Sequence, residues 1–165
     1  KLFSNKWYDE MSSINFKTAV IRQNEKWNFM NSNGEILYKP NTPNEWFDMV
    51  DETPMFRKNN GMGTIMKDGK WNFFDTAKKK IIYAPDDTSL WFSYVGNFVH
   101  GFGLVKNYYE KWNYIDAKGD FLYKKENFPF TEAYNFSIYD KNKGTASVKM
   151  NGNWHLINRQ GELLP

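Results

Sequence analysis

A single tripeptide, repeated, constrains this chain more than anything else in it. Lys26-Trp27-Asn28 recurs as Lys70-Trp71-Asn72 and Lys111-Trp112-Asn113, with a weaker copy at Asn153-Trp154-His155. The tryptophans stand 44, 41 and 42 residues apart, and their surroundings recur with them. An aromatic opening lies about twenty residues before each of them: Trp7-Tyr8-Asp9, Trp46-Phe47-Asp48, Trp91-Phe92-Ser93 and Phe130-Thr131-Glu132. Between opening and tryptophan comes a small-residue run such as Gly61-Met62-Gly63-Thr64-Ile65 or Gly101-Phe102-Gly103-Leu104-Val105. After the tryptophan come a turn and an apolar pair, often followed by Tyr. A period near forty residues marks a tandem array, in which each unit buries its core only by stacking on its neighbours. The units read as residues 7–45, 46–90, 91–129 and 130–165, together one repeat domain.

Local patterning selects strands. The small-residue runs alternate with period two, and in Trp71-Asn72-Phe73 two aromatics flank a polar residue. Asp68-Gly69 and Asn151-Gly152 sit between strand-like runs, the strongest short hairpin signal. Asn33-Gly34 and Lys118-Gly119 suit longer hairpins with a left-handed glycine. The second unit departs, with Thr76-Ala77-Lys78-Lys79-Lys80 in place of a glycine turn. No window of eleven or more residues carries a helical period. Each unit is therefore expected to be an antiparallel meander of three or four short strands, joined by Pro-bearing links at Pro40–Pro43, Pro85–Asp87 and around Pro129. The expected fold is all-β, an open solenoid-like stack, with a small four-bladed propeller-like ring as the alternative. The chain begins at a unit opening and ends at a unit closing, so the phase shift common in closed propellers is not visible. The fourth unit is the most degenerate, with Phe130 read in place of the opening Trp and His155 in place of Asn, as suits a terminal cap.

Composition narrows the function classes. Aromatic residues make up 19% of the 165 residues, and each buried one removes about 150–250 Å² from water. So many, so dispersed, imply several small aromatic-centred cores. A net charge of +3, with no basic run longer than Lys78-Lys79-Lys80, is too small and too scattered for a nucleic-acid reader. There is no cysteine, hence no disulfide and no thiolate metal site. No apolar stretch reaches the length of a membrane-spanning helix, and no signal peptide is visible. The chain opens on Lys1 rather than Met, the pattern of a processed or excised segment. The compartment is not legible.

No catalytic constellation recurs. His100 and His155 are the two histidines, and His155 occupies a repeat position, which argues for structure. No Ser nucleophile has an elbow motif, and Gly61-Met62-Gly63 lacks the lysine and helix of a phosphate loop. Asp75 and Asp116 share a repeat position with Asn31 and Asn158, and that interchange suits a turn-initiating hydrogen bond over acid–base work. The expectation is a chain that is not an enzyme, with no cofactor and no metal. Trp27, Trp71, Trp112 and Trp154, equivalent in every unit, are expected to form the repeat core. Asn28, Asn72 and Asn113 fit either a ladder between neighbouring units or the satisfaction of local backbone groups. The opening Trp46 and Trp91, and the inserted Tyr108 and Tyr109, are the candidates for contact with a partner.

Those residues resemble the WG-repeat family, whose units carry an F-D-E-V opening, a G-L-A-V strand and a G-K-W-G-F-I-D core. Gly69-Lys70-Trp71-Asn72-Phe73-Phe74-Asp75, Lys111-Trp112-Asn113-Tyr114-Ile115-Asp116, Trp46-Phe47-Asp48-Met49-Val50 and Gly101-Phe102-Gly103-Leu104-Val105 carry the likeness, which extends from Trp7 to Pro165. One departure is systematic: the family glycine after Trp is Asn28, Asn72, Asn113 or His155. The resemblance implies repeat-mediated protein interaction or structural assembly in a bacterial or bacteriophage protein, with a protein, a larger assembly or a virion as partner. It brings no catalytic residues. Choline-binding repeats look similar in their G-K-W-aromatic core but lack the W-F-D opening and have a shorter period. The corresponding alternative is glycan or cell-envelope binding through aromatic rows.

Overall fold

A computed structural model of the chain describes residues 7–12, 17–41, 43–51, 61–83, 88, 91–124, 127–137 and 144–165. Over these described residues the chain is all-β and forms four antiparallel sheets, none closed into a barrel. The first sheet holds β1 (Glu10–Met11), β2 (Thr18–Gln23) and β3 (Lys26–Asn31). The second holds β4 (Met49–Asp51), β5 (Met62–Lys67), β6 (Lys70–Asp75) and β7 (Lys80–Ile81). The third holds β8 (Tyr94–Val99), β9 (Phe102–Lys106) and β10 (Trp112–Asp116). The fourth holds β11 (Glu132–Ala133), β12 (Ala146–Met150), β13 (Asn153–Ile157) and β14 (Leu163–Leu164). Each is a sequential meander, and single bridges Met30–Ile36 and Ile115–Phe121 stand where β7 pairs in the second sheet. The Pro85–Asp87 link lies outside the described residues.

The central hairpins of the first, second and fourth sheets turn on two residues with positive φ. Asp68-Gly69 (52° and 70°) and Asn151-Gly152 (51° and 82°) do so as expected. Asn24-Glu25 makes the same turn without the sequence signal, and His100-Gly101 turns β8 into β9, whereas β9 and β10 of the third sheet are joined by the longer turn from Asn107 to Lys111, with Glu110 at positive φ. The later turns begin with an Asx side chain: Oδ1 of Asn31, Asp75, Asp116 and Asn158 each accepts backbone N–H groups from residues two to four positions on. This is the turn-initiating role expected for that position. In the second unit Lys79 takes the left-handed place (φ 56°) that glycine fills elsewhere.

The sheets stack face to face, and the strand period assigns residues to the two faces. Phe29 and Val20 of the first sheet meet Phe74 and Ile65 of the second in one core. Phe73 and Met62, on the opposite face of the second sheet, meet Val105 and Ile115 of the third. Tyr114 and Leu104 of the third meet Val148 and Ile157 of the fourth. Each sheet between two others is thus buried on both faces. Close approach requires small residues: a Cβ on Gly63 would overlap the Phe29 ring, and one on Gly103 would overlap Phe73. Ala146 holds the equivalent place against Tyr114.

Successive sheets are also joined at their edges. Trp27 N–H donates to the Phe47 carbonyl (2.8 Å) and Phe47 N–H returns to Trp27 (3.0 Å). Trp71 with Phe92, and Trp112 with Phe130, repeat the bridge. This places Phe130 at the position of Phe47 and Phe92, so it does not replace the opening Trp; Pro129 stands there. Among the described residues, no core cluster joins the first sheet to the fourth, the arrangement of an open stack and not of a ring.

Candidate functional site

The residue after each repeat tryptophan is a structural clip. Asn28, Asn72 and Asn113 are fully buried. Asn28 Oδ1 accepts the N–H of Phe29 (2.7 Å) and of Tyr38 (3.1 Å), while its Nδ2 donates to the Tyr38 carbonyl (2.8 Å). Asn113 does the same with Tyr114 and Tyr123, and Asn72 with Phe73 and Tyr83. Of the two readings open for these residues, local backbone satisfaction is the one realised. The amide pairs the backbone N–H and carbonyl of the tyrosine that ends the outer segment, so these groups are not left unpaired beside the core. The fourth unit cannot build this clip. His155 replaces Asn, and Pro165, ten residues on, has no N–H to offer.

The repeat tryptophans are less central than expected. Trp27, Trp71 and Trp112 are half-buried at the margins of three cores, and Trp154 is 46% exposed. The buried aromatic of each inner face is instead the residue two positions on: Phe29, Phe73 and Tyr114. Trp27, Trp112 and Trp154 each carry a cation from the facing strand: Arg22 at 5.5 Å, Lys106 at 5.3 Å and Lys149 at 5.7 Å from the ring centroid. Such contacts contribute about 0.5–1 kcal/mol at exposed sites and fix the rims of the first, third and fourth sheets.

The opening tryptophans correct the expectation in the other direction. Trp46 is 6% and Trp91 4% exposed, so they form no exposed binding row. Trp46 packs with Ile21 and Met30 of the first sheet, and Trp91 joins the core between the first and second sheets. Each reaches back over the preceding unit. Trp7, the opening residue of the first unit, is 91% exposed. The inserted pair divides: the Lys70 ammonium lies 3.8 Å from the half-exposed Tyr108 ring, whose hydroxyl donates to the Phe92 carbonyl at 3.4 Å, whereas Tyr109 projects into solvent. His100 sits at a hairpin turn with Nε2 2.8 Å from the Ser137 carbonyl oxygen, joining the third unit to the fourth. Burial pushes the Tyr114 hydroxyl well above its ordinary pKa, and its proton is donated to the Tyr134 carbonyl at 2.7 Å, a second link across that junction.

The remaining surface of note is one the sequence did not single out. On the fourth sheet, Trp154 and Leu156 occupy the positions of Trp71 and Phe73, on the face that in the other units is covered by the next sheet. Here Leu156 is 44% and Tyr134 62% exposed. The rings of Tyr134 and Trp154 are stacked at 5.6 Å with an interplanar angle of 24°. Glu132, Lys149 and Trp154 lie in register across three strands, with Lys149 Nζ 2.6 Å from Glu132 Oε1. Tyr134, Ser147, Trp154, Leu156, Leu164 and Pro165 line an open groove of about 670 Å³, with His155 at its margin. The signal that would have found this face is the repeat register itself, since Leu156 aligns with Phe29, Phe73 and Tyr114.

Among the described residues no helix is long and apolar enough to cross a membrane, and no three His, Asp or Glu side chains converge. No protein-family model and no curated protein matches the chain. Similar solved structures include the computationally designed Ika4 protein, at 8% identity over 95% of each chain with a TM-score of 0.44. BamB from Moraxella catarrhalis is 10% identical over 100% of this chain and 52% of its own, with a TM-score of 0.41. Streptogramin B lyase is 14% identical over 95% of this chain and 53% of its own, with a TM-score of 0.39. The chain thus spans about half the length of the latter two.

Proposed function

We propose that this chain is a non-enzymatic repeat module for protein–protein interaction or structural assembly, of the WG-repeat kind, in a bacterial or bacteriophage protein. The observation that carries the reading is how the recurrent residues are used. The glycines and Ala146 admit neighbouring rings, the Asx residues start turns, the buried asparagines clip the outer segment, and the opening aromatics bridge sheet to sheet. What this construction leaves over is an apolar face on the fourth sheet, the kind of surface that marks a protein contact. The alternative of glycan binding through aromatic rows is weakened by the burial of Trp46 and Trp91.

Native mass spectrometry of the chain, isolated under gentle conditions from the cells or particles that contain it, tests this reading. A defined protein complex of fixed stoichiometry is expected. A free chain under those conditions, together with reproducible hits on a glycan array, would replace the reading by the alternative.

A further inference from the structure

Three junctions of this chain show what the edge of each sheet's third strand takes. The backbone N–H and C=O of Trp27 pair with those of Phe47, and Trp71 with Phe92 and Trp112 with Phe130 repeat the bridge. The phenylalanine ring then lies against the tyrosine that ends the outer segment: Phe47 on Tyr38 at 4.5 Å, Phe92 on Tyr83 at 5.3 Å and Phe130 on Tyr123 at 5.0 Å between centroids. Strand β13 keeps the same register. Trp154 stands opposite Lys149 as Trp27 stands opposite Arg22, so its N–H and C=O point out of the strand edge. On that edge β14 pairs with Leu156 and Ile157, and among the described residues no bridge reaches Trp154. The apolar seat beside it is formed by Leu156, Leu164 and Pro165, with Pro165 at the place of the three tyrosines.

The fourth unit fits such a segment but not the sheet that accompanies it at the internal junctions. In the third unit the position of Tyr134 is Gly96, and Asn135 of the next unit lies directly over it: a Cβ on Gly96 would stand 2.7 Å from Asn135 Oδ1. The first and second units carry Ser12 and Asp51 at that register. The fourth carries a tyrosine, 62% exposed and stacked on Trp154, where the internal junction brings the next unit close. The large ring that seats against Gly63 or Gly103 is likewise replaced, by the smaller Leu156. We propose that β13 binds one extended segment of a partner protein by strand addition, with a phenylalanine of that segment bridging Trp154 and its ring seated on Leu156, Leu164 and Pro165. Main-chain bonds supply affinity in this mode, and the pocket for one side chain supplies selectivity. The chemistry of the segment follows from the internal examples, a phenylalanine followed by Asp48, Ser93 or Thr131. The inference rests on the interaction-module reading and names the site and the segment that it takes.

Titration of the ¹⁵N-labelled full chain with a free peptide of the sequence of residues 44–50, Asn-Glu-Trp-Phe-Asp-Met-Val, tests it by NMR. The backbone amides of Trp154 and Leu156 should shift and saturate. The same peptide methylated on the phenylalanine nitrogen lacks the bridging donor and should bind about tenfold more weakly, the loss of one backbone hydrogen bond. Leu156→Lys, at an exposed position, should abolish binding, and Lys118→Ala, on an exposed turn of the third unit, should leave it intact. If Leu156→Lys fails to fold, the methylated peptide decides. No shift at millimolar peptide overturns the proposal, as does equal binding of the methylated peptide. Shifts of the same amides that grow with protein concentration in the absence of peptide would also overturn it, by giving the face to a second copy. A partner protein found in the native complex that binds the chain without disturbing the Trp154 amide would sink this site and leave the interaction-module reading standing.

Discussion

The first and fourth sheets are both ends of one stack, built on one repeat, and they end it in opposite ways. In the first, the outward face carries Ile21 and Met30, both buried against Trp46 of the next unit, with Ala19 buried beside them and Met11 of the edge strand exposed. In the fourth, the outward face carries Trp154 and Leu156, both substantially exposed. The difference follows from the direction of the repeat. The opening tryptophans of the second and third units reach back over what precedes them, Trp46 over the first sheet and Trp91 over the core behind the second. Backward-reaching cover protects the sheet behind it, and among the described residues the outward face of the fourth sheet has no such cover. The fourth unit loses its amide clip as well, so the end that is open is also the end that is less tightly fastened.

Substitution of the opening tryptophans should show most strongly what backward-reaching cover contributes. Trp46→Ala removes a buried indole, and truncations of this kind cost about 3–5 kcal/mol. Trp7→Ala, at an exposed position, should stay within about 0.5 kcal/mol of the parent. Denaturant unfolding measures both, and equal effects would erase the distinction between a covering and a free opening tryptophan.

The clip gives the next largest contrast. Asn72→Ala leaves the Tyr83 N–H and carbonyl without their amide partner in a buried setting, at a cost of about 2–4 kcal/mol. His155→Ala at the equivalent place should cost less than about 1 kcal/mol, because no clip exists there. Thermal melts of the two variants should rank in that order; the reverse order would mean that His155 fastens the last unit in a way the structure does not show.

Acid should loosen the junction between the first and second units. Asp48 is pushed up by burial, but the Lys26 ammonium and the Asp68 N–H outweigh this and hold it below the ordinary value. Glu35, between Lys39 and Lys79, is held down at about 2. A carboxylate with a depressed folded-state pKa adds stability that is present above its unfolded value and lost as pH falls through the folded one. The melting temperature should therefore decline between about pH 5 and pH 2, by a small amount because both groups are solvent-accessible. Asp48→Asn combined with Glu35→Gln should flatten that slope; an unchanged slope would place the acid sensitivity elsewhere.

Much of this architecture is legible in the sequence because the repeat is written in residues with narrow conformational preferences. The spacing of Trp27, Trp71, Trp112 and Trp154 announces four units. Asp68-Gly69 and Asn151-Gly152 announce hairpins, and the exchange of Asp75 and Asp116 with Asn31 and Asn158 announces the turns. Two further matters are not legible from one sequence. Period-two patterning with an Asn between Trp and Phe reads as one apolar and one polar face. In stacked sheets both faces are buried, and the polar residue is there to pair backbone, so Asn72 lies deeper than Trp71. Recurrence, likewise, does not measure depth. Trp27 and Trp46 both recur in register, yet the one at a hairpin rim is half-exposed and the one that folds back over a neighbour is buried. The bridge register also moves Phe130 one place from where its aromatic character suggested, because a Pro stands where the opening Trp is expected.

The claim on which the rest depends is that four sheets stack face to face with cover running backward, closed at the first and open at the fourth. Hydroxyl-radical footprinting of the intact chain at sub-micromolar concentration, with oxidation read residue by residue, tests it most directly. Trp7, Tyr134 and Trp154 should oxidise rapidly, Trp27, Trp71 and Trp112 more slowly, and Trp46 and Trp91 least. Protection of Trp154 equal to that of Trp46, or rapid oxidation of Trp46 and Trp91, would contradict it.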